Sequence, residues 1–545
     1  MKSKGWLLAG AITLGLVGGY TLFESQKYKL PGLMQDWRDP IQPHRDISWQ
    51  HGPEQITEEQ RPPNIILIVA DDLGFNDISL NGGGLAGGAV KTPNIDRLAQ
   101  EGVSFTTAYA ANATCSPSRA AMMTGRYPTR FGFEFTAVPV QLAEAVGKGE
   151  GVGPLRSFFH KDRITDSMPD YPDMGVPASE ITIAELLKDV GYHTVHIGKW
   201  HLGESPPLQP QSQGFDESLA ILAGAAMFLQ EDDPDSVNAK LSWDPLDRFL
   251  WANLRHAVSF NGGARFRPKG HMTDYFADEA MKVVEANRNR PFFLYLAFNA
   301  PHTPLQATQA DYDALAHIAD HKTRVYGAMI AQLDRRIGDL MAQLKQKGMD
   351  DNTLVIFTSD NGGAWYNGIV GLNDPYRGWK ATFYEGGIRT PLFMRWPDKI
   401  AAGSQRQDLT GHLDIYSTIA AAAGAPLPKD RLIDGEDILS GPATRDAMFW
   451  RSGDYQAIRQ GDWKLQVMKR PMDARLYNLA EDPGEKRNLA KAEPARVAAM
   501  KKRLAQHDAA QAEPIWPGLI EAPIRLDVPL NARWQDGQDY IYWTN

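Results

Sequence analysis

Four apolar runs recur along the chain, and none of them alternates with polar positions as a half-exposed strand would. The runs cover residues 64–70, 192–197, 291–298 and 353–359. Unbroken stretches of β-branched and aromatic residues are typical of strands buried on both faces of a mainly parallel sheet. Segments with helical spacing lie between the runs, such as residues 322–347. The pattern predicts an α/β fold in which a large central, mostly parallel sheet is flanked by helices.

The pattern changes beyond about residue 440, where the apolar segments become short and are separated by turn residues. The predicted elements are strands at residues 447–450, 455–459 and 463–467 and a helix at residues 494–509. We therefore predict a main domain over residues 64–440, which carries the candidate chemistry. A small C-terminal subdomain and tail, with an antiparallel sheet plus a helix, should cover residues 441–545.

The N-terminus resembles a targeting segment rather than part of a folded domain. Lys2 and Lys4 precede an apolar run over residues 6–23, and the first carboxylate of the chain is Glu24. Residues 1–24 are predicted to be an export signal, either a cleaved signal peptide or an uncleaved signal anchor that holds the protein in a membrane through residues 6–23. Either alternative places the protein in the periplasm or another extracytoplasmic space. Polar, proline-bearing residues 25–63 are predicted to form a linker.

The amino-acid composition indicates how large a core the chain can bury and whether nucleic acid is an expected partner. The chain has 545 residues, of which 43% are hydrophobic, so it can bury a large core. Its 57 basic and 66 acidic residues give a net charge of −9, with the acidic residues dispersed along the chain. Nucleic acid is therefore not expected as a partner.

Polar side chains follow each of the four apolar runs directly. They are Asp71 and Asp72 after the first run, Lys199 and His201 after the second, His302 after the third, and Asp360 and Asn361 after the fourth. The carboxyl ends of parallel strands lie along one edge of a sheet, where open α/β folds bind ligands, so these side chains should converge. Lys199 and His201 are alternate residues and, if extended, would project to the same side.

The convergence of carboxylates at one edge predicts a metal site. Two adjacent carboxylates at the end of a buried strand are costly unless a cation compensates them. Asp71, Asp72, Asp360 and Asn361 offer only oxygen ligands, which suit a hard divalent ion such as Ca²⁺ or Mg²⁺.

Cys115 is the only cysteine in the chain, so it cannot form an internal disulfide. It opens the sequence Cys115-Ser116-Pro117-Ser118-Arg119, which resembles the Cys-x-Pro-x-Arg signature of the type I sulfatases. Three further stretches are similar to that family: residues 198–203, residues 377–391 around Lys380, and residues 476–489 in the C-terminal part. These formylglycine-dependent, arylsulfatase-like enzymes belong to the alkaline phosphatase superfamily.

The resemblance implies a function, a cofactor and a role for each candidate residue. It implies that a formylglycine-generating enzyme oxidises Cys115 to Cα-formylglycine, whose hydrate is the nucleophile toward a sulfate ester, either an aryl sulfate or a sulfated sugar. It also implies that the metal, Ca²⁺ or else Mg²⁺, is bound by Asp71, Asp72, Asp360, Asn361 and position 115. The resemblance also implies that Arg119 stabilises the hydrate and that Lys199 and Lys380 bind the sulfate. Asp360 would accept the proton of the attacking hydroxyl, and His302, with Lys380, would protonate the leaving alcohol. His201 would act as the base that allows sulfate to be released.

Three alternatives remain open from the residues. The same cations and metal would suit a phosphonate or phosphate monoester hydrolase of the same superfamily. If Cys115 is never oxidised, the chain could be a non-catalytic binder of sulfated glycans. A cysteine hydrolase built on Cys115 and a histidine would leave the two pairs of metal-type ligands unexplained. Substrate specificity should reside in the irregular stretches at residues 131–179 and 204–269.

Overall fold

A computed structural model describes residues 27–55, 61–148 and 154–545 of the chain. The predicted export signal, residues 1–24, lies outside these residues. Among the residues that are described, no helix combines the length and the apolarity needed to cross a membrane.

The strands form one large sheet and several small ones. In chain order they are β1 (Asn64–Ala70), β2 (Val103–Phe105), β3 (Ala108–Tyr109), β4 (Phe158–Phe159), β5 (His193–Lys199), β6 (Glu217–Ile221), β7 (Ser236–Ala239), β8 (Ser259–Phe260), β9 (Phe292–Ala297), β10 (Leu305–Thr308), β11 (Thr353–Ser359), β12 (Leu392–Arg395), β13 (Ser404–Arg406), β14 (Thr410–Gly411), β15 (Ala447–Ser452), β16 (Tyr455–Gln460), β17 (Trp463–Met468), β18 (Asp473–Asn478), β19 (Ile520–Arg525) and β20 (Tyr540–Thr544). The large sheet has the order β13-β2-β12-β11-β1-β9-β5-β6-β8. Its five central strands, from β11 to β6, are parallel to one another. The prediction of a mostly parallel central sheet is confirmed.

Helices cover both faces of this sheet. Those of six residues or more are α1 (Leu30–Arg38), α2 (Pro93–Gln100), α3 (Cys115–Thr124), α4 (Val140–Gly147), α5 (Ile183–Asp189), α6 (Pro245–Asn253), α7 (Met272–Ala286), α8 (Gln309–Ala314), α9 (His321–Gln346), α10 (His412–Ala423) and α11 (Pro494–Asp508). Ile66 and Ile68 of β1 belong to the apolar core that α7 and α9 cover, whereas Ile65 and Leu67 belong to the core under α3, α5 and α10. Alternate side chains of a strand point to opposite faces, so burial on both faces explains the unbroken apolar runs.

Helix starts follow the local sequence closely. The sequence Thr182-Ile183-Ala184-Glu185 forms a capping box at the start of α5, because Thr182 Oγ1 accepts from Glu185 N at 3.2 Å and Glu185 Oε2 accepts from Thr182 N at 2.7 Å. Thr273 is not the cap of the next helix, although its residue type favours that position. His271 is the N-cap of α7 instead, and its Nδ1 accepts from the backbone N–H of Thr273 at 3.3 Å.

The C-terminal part forms the predicted antiparallel sheet, β15-β16-β17-β18, with α11 packed on it through Met500 and Leu504. Lys464 of β17 joins this sheet to the main domain. Its Nζ lies 3.0 Å from Glu385 Oε1 and 3.0 Å from Glu485 Oε1, and all three side chains are fully buried. The chain then returns to the main domain, where β19 pairs with β20 and with β4.

The segment predicted as a linker is packed against the main domain wherever it is described. Within it, α1 contacts α6, and the indole of Trp49 is buried and donates to Glu279 Oε2 at 2.8 Å. A linker would leave these side chains in solvent, so residues 27–55 are part of the folded body.

Candidate active site

The four strand ends place their polar side chains at one edge of the sheet. The backbone itself ties the strand ends together, since Asp71 N donates to Ala300 O at 3.0 Å and Asp360 N donates to Ala70 O at 3.1 Å. Parallel pairing of β1 with both β9 and β11 therefore fixes the distance between the groups that follow them.

Cys115 is the first residue of α3 and is buried beside this edge. Its Sγ lies 3.3 Å from Lys380 Nζ, 3.5 Å from Asp71 Oδ1 and 3.8 Å from Asp72 Oδ1. Burial, followed by the charge of Asp360, raises the pKa of the thiol above its ordinary value. A thiolate nucleophile needs the opposite shift, so the environment argues against the cysteine hydrolase considered from the sequence.

Three carboxylates and three cations surround Cys115. Arg119 makes a paired contact with Asp360, with Nε at 2.9 Å and Nη2 at 2.8 Å from Oδ2. Lys199 Nζ donates to Asp71 Oδ2 at 2.7 Å, and Lys380 Nζ lies 2.7 Å from Asp72 Oδ1. The first two pairs are fully buried and the third is nearly so, and the six charges are formally neutral as a group, which is the condition for holding so many charges away from water.

The pKa values of the three carboxyl groups are shifted in different directions. Burial raises the pKa of Asp71 to about 7, and Lys199 opposes this shift. Burial alone would also raise the pKa of Asp72 and Asp360. Lys380 instead lowers the pKa of Asp72, and Arg119 lowers that of Asp360.

Both candidate histidines lie at the site, in different settings. His302 Nε2 is 3.6 Å from Asp72 Oδ2, and its Nδ1 is 2.5 Å from Thr303 O. His201 Nε2 is 2.9 Å from Ala137 O, while its buried Nδ1 has no hydrogen-bond partner among the described residues. Burial lowers the pKa of both rings, that of His302 to about 3.

The backbone after two of these strands differs from the sequence expectation. His201 has φ 58°, so Lys199 and His201 are not related as alternate residues of an extended strand. Asp72 and Ala381 also have positive φ, at 61° and 69°. Left-handed conformations at residues other than glycine are uncommon and are concentrated at functional sites.

The residues fit a hard metal ion. One ligand atom from each of Asp71, Asp72, Cys115 and His302 lies within 4.8 Å of the others. Asn361 Nδ2 donates to Asp72 Oδ1 at 2.7 Å, whereas its buried Oδ1 has no hydrogen-bond partner among the described residues. Asp360 belongs to the same group, because its Oδ1 accepts from Asp72 N at 3.1 Å. An orphaned amide oxygen beside carboxylates matches the donor set of Ca²⁺ or Mg²⁺.

Tyr366 was not anticipated from the sequence. Its hydroxyl donates to Asp72 Oδ2 at 3.0 Å and it lines the cavity next to Lys380. It lies on the irregular segment between β11 and β12, where no periodicity marks it. A tyrosine in a loop belongs to no periodic pattern or motif that would mark it as a site residue, so its contact with Asp72 becomes visible only in the folded structure.

A cavity of about 840 Å³ leads from solvent to Cys115, His201, His302 and Lys380. We call these residues, together with Asp71, Asp72, Arg119, Lys199, Asp360 and Asn361, the charged end of the cavity. The rest of the cavity is lined mainly by apolar side chains from α1, α4, α6 and β19, which we call the apolar wall. Such an arrangement defines a hydrolase site for an anionic ester: cations to hold the anion, a buried reactive position, and two imidazoles for proton transfer.

Comparison with known proteins identifies which anionic ester the site serves. The sequence profile described as Sulfatase matches residues 63–425, and that described as N-sulphoglucosamine sulphohydrolase, C-terminal, matches residues 377–510. The chain therefore belongs to the sulfatase family, within the alkaline phosphatase superfamily, and is a sulfuric ester hydrolase. Membership implies in general a metal site and a formylglycine modification.

Individual relatives agree with this assignment. The N-acetylgalactosamine-6-sulfatase of Mus musculus is 32% identical over 418 residues, covering 75% of this chain and 72% of the relative. The N-acetylgalactosamine-6-O-sulfatase of Bacteroides thetaiotaomicron is 30% identical, covering 80% of this chain and 91% of the relative. The crystal structure of Ps i-CgsB in complex with k-i-k-neocarrahexaose is 32% identical, with a TM-score of 0.68 over 84% of this chain and 95% of that chain.

Proposed function

We propose that the chain hydrolyses a sulfate monoester in two steps, with position 115 present as Cα-formylglycine and with Ca²⁺ as the resident ion. One observation carries the proposal: Cys115 lies at the bottom of the cavity, within 4 Å of Lys380, Asp71 and Asp72. A reactive group at this position meets the cations that would hold a sulfate and the carboxylates that would hold a metal.

Asp71, Asp72, Asp360 and Asn361 would hold the ion, with position 115 as a further ligand. The Oδ1 of Asn361, which has no hydrogen-bond partner in the part of the chain that the structure describes, and the hard oxygen donors support this set. A bound divalent ion would offset the negative charge of the sulfate oxygens and polarise sulfur toward attack.

In the first step, one hydroxyl oxygen of the hydrated position 115 attacks sulfur and the sulfur–oxygen bond to the substrate alcohol breaks. Asp360 accepts the proton of the attacking hydroxyl, and Arg119, held by Asp360, stabilises the hydrate. Lys199 and Lys380 hold the sulfate oxygens. His302, next to Asp72 and with Lys380 beside it, donates the proton with which the alcohol departs.

In the second step, His201 takes the proton of the remaining hydroxyl, the carbon–oxygen double bond reforms, and the bond from carbon to the sulfate oxygen breaks. Sulfate leaves, and water restores the hydrate. Serine could not follow this route because it has a single oxygen, so its sulfate ester would need attack by water.

The substrate alcohol is proposed to belong to a sulfated sugar, with aryl sulfates accepted as activated analogues. The names of the two N-acetylgalactosamine sulfatases support a sugar, and so does the k-i-k-neocarrahexaose in the crystal structure of Ps i-CgsB.

Maturation is proposed to require export and an external enzyme. Residues 1–24 would direct the chain out of the cytoplasm, with residues 6–23 either removed or left as a membrane anchor. Cys115 is 2% exposed and lies within α3, so a formylglycine-generating enzyme would have to act before this helix is packed.

Mass spectrometry of the peptide that contains position 115, from protein produced in its native export pathway, tests the proposal. We expect formylglycine at position 115 and stoichiometric calcium in protein purified without added metal. The same preparation should release sulfate from a panel of sulfated sugars and aryl sulfates faster than it releases phosphate or phosphonate from matched esters. Unmodified cysteine in active enzyme, or preferred hydrolysis of phosphonate esters, would overturn it.

A further inference from the structure

The helix α1 presents its apolar face outward. Leu30, Leu33, Met34 and Trp37 follow the i, i+3, i+4, i+7 spacing of a single helix face, and all four are exposed, Trp37 to 83%. A helix on the surface of a globular protein normally turns such a stripe toward the core. Exposed apolar stripes of this kind mark contact sites for apolar partners.

The opposite, polar face of α1 holds it to the protein. Asp36 accepts from Arg255 Nε at 2.7 Å, and Asp39 accepts from Arg265 Nε at 2.6 Å. Gly32 N donates to Asn253 Oδ1 at 2.8 Å at the end of α6. The orientation is therefore fixed by polar contacts that a rotated helix would lose.

This helix also borders the mouth of the cavity, since Pro31, Met34 and Arg38 are among the lining residues. Between α1 and the charged end lies the rest of the apolar wall, which α4, α6 and β19 contribute. Its apolar side chains include Leu142, Val146, Leu246, Phe249, Leu250 and Ile524. An apolar passage thus connects the exposed stripe to the reactive position.

Sequence outside the described residues indicates which partner covers the stripe. The apolar run at residues 6–23 ends only a few residues before α1, so in the anchored form the helix starts next to a lipid surface. Lys29 and Arg38 are exposed at the two ends of the helix, where they suit anionic lipid head groups. Trp37 has the amphipathic ring that is enriched at membrane interfaces.

We propose that α1 lies on a membrane through Leu30, Leu33, Met34 and Trp37, and that the cavity takes its sulfate ester from that membrane. The substrate would be a glycolipid that carries the proposed sulfated sugar, whose sulfated head reaches Cys115 while its apolar part lies along the apolar wall. This inference rests on the proposed sulfate ester hydrolysis and adds the class of substrate and the surface from which it enters.

The membrane contact is tested by a fluorophore placed on the full-length protein. Leu33→Cys and, as a matched control, Leu432→Cys are labelled with an environment-sensitive dye, since these leucines are 59% and 58% exposed. Vesicles of phosphatidylethanolamine and phosphatidylglycerol are then added. We expect a blue shift and quenching by brominated lipid at position 33 and neither at position 432.

The dye is needed because residues 6–23 could bind vesicles by themselves, so that vesicle binding alone would not show whether α1 contacts the lipid. If the protein binds vesicles while position 33 stays unquenched, the proposal is wrong. A blue shift at position 33 that grows with protein concentration without vesicles would assign the stripe to a second copy of the chain, and would overturn it as well.

Substrate entry is tested with two esters that share a leaving group, 4-methylphenyl sulfate in solution and 4-hexadecylphenyl sulfate in vesicles. Replacing Leu33 and Trp37 together by Glu should lower kcat/KM for the long-chain ester by about tenfold or more, because two charges replace two membrane-embedded side chains. The short ester should change less than about twofold. Leu432→Glu should affect neither ester, and unchanged Tm values show that the variants are folded.

The outcomes separate this inference from the proposed function. Equal loss with both esters, or no loss with either, overturns the entry from the membrane. If the wild-type protein hydrolyses neither ester, the proposed function fails, and the fluorophore result still decides whether α1 contacts lipid.

Discussion

The charged end of the cavity and the apolar wall are built in opposite ways. At the charged end, Asp71, Lys199 and Asp360 sit at the ends of three parallel strands of one sheet, and backbone pairing fixes their positions. The apolar wall is assembled from α1, α4, α6 and β19, which come from distant parts of the chain. The sheet thus positions the carboxylates of the site, whereas the apolar lining of the cavity comes from segments outside it.

The largest effect is expected at the reactive position. Cys115→Ser should lower turnover of any sulfate ester by at least about a thousandfold in a host that modifies only cysteine, because serine cannot expel sulfate in the second step. Steady-state kinetics and thermal unfolding measure the loss and the fold. The neighbouring variant Ser116→Ala should keep most of its activity, and wild-type-like turnover by Cys115→Ser would remove formylglycine from the mechanism.

The two histidines should separate the two steps. His302→Ala should lose about 10²- to 10⁴-fold with sugar sulfates but much less with activated aryl sulfates, whose phenolates depart with little protonation. His201→Ala should stall after one turnover with sulfate attached to position 115, which mass spectrometry of that peptide would detect. Accumulation of the adduct in the His302 variant instead would reverse the assignment.

Calcium affinity should depend on the asparagine that follows β11 and should not depend on a buried asparagine at the opposite edge of the sheet. Asn361→Ala removes the amide oxygen that would bind the ion and should weaken calcium binding by at least about tenfold. Asn64→Ala changes a buried asparagine at the opposite end of the neighbouring strand β1, where its Nδ2 donates to Thr353 Oγ1 at 3.0 Å, and should retain calcium. Calcium titration followed by Tm decides, and equal affinity in the two variants would contradict the proposed ligand set.

The smallest effect concerns a carboxyl in the lining contributed by α6. Asp244 caps this helix through two backbone N–H groups, and burial raises its pKa from 3.8 to about 7. The folded state therefore binds a proton more tightly than the unfolded state, and stability falls as pH rises from about 4 to about 7. Asp244→Asn keeps the cap and should be more stable than wild type by roughly 2 kcal/mol at pH 8, with little difference at pH 4.

Asp320 provides a control of opposite sign for that prediction. It caps α9, and although partial burial opposes the shift, its hydrogen bonds with Thr323 lower its pKa. Asp320→Asn should therefore lose stability at pH 8 rather than gain it. Chemical denaturation of both variants across this pH range checks the two signs, and a stability gain in both would show that the charge of Asp244 is not the cause.

The sequence alone was sufficient to predict the parts of the molecule that depend on local hydrophobic pattern and on the parallel arrangement of strands. The strand over residues 353–359 was predicted with its observed bounds, and α9 to within one residue at each end, because burial and helical spacing act locally. The convergence of Asp71, His302 and Asp360 followed from parallel pairing. The site roles themselves stay predictions.

Other features depended on contacts between distant residues. The left-handed backbone at His201 cannot be read from a Lys-x-His pattern, and Tyr366 reaches Asp72 across the fold from an irregular segment. Residues 27–55 looked like a linker because their composition is polar, yet their polar groups pair with Arg255, Arg265 and Glu279. A polar segment is therefore exposed to solvent only if the fold does not bring complementary charged side chains into contact with it.

The buried position of Lys464 has a consequence for biosynthesis. Glu385 lies five residues after Lys380, and Lys464 and Glu485 provide its fully buried partners. A ribosome that has reached residue 440 has already made every residue of the charged end, but Glu385 would then have Arg389, at 2.9 Å, without Lys464, and losing one of two cations is costly for a buried carboxylate. The loop that carries Lys380 therefore gains its full set of buried partners only when the last part of the chain has been translated, and we expect a premature stop codon in that part to weaken a site to which it contributes no catalytic residue.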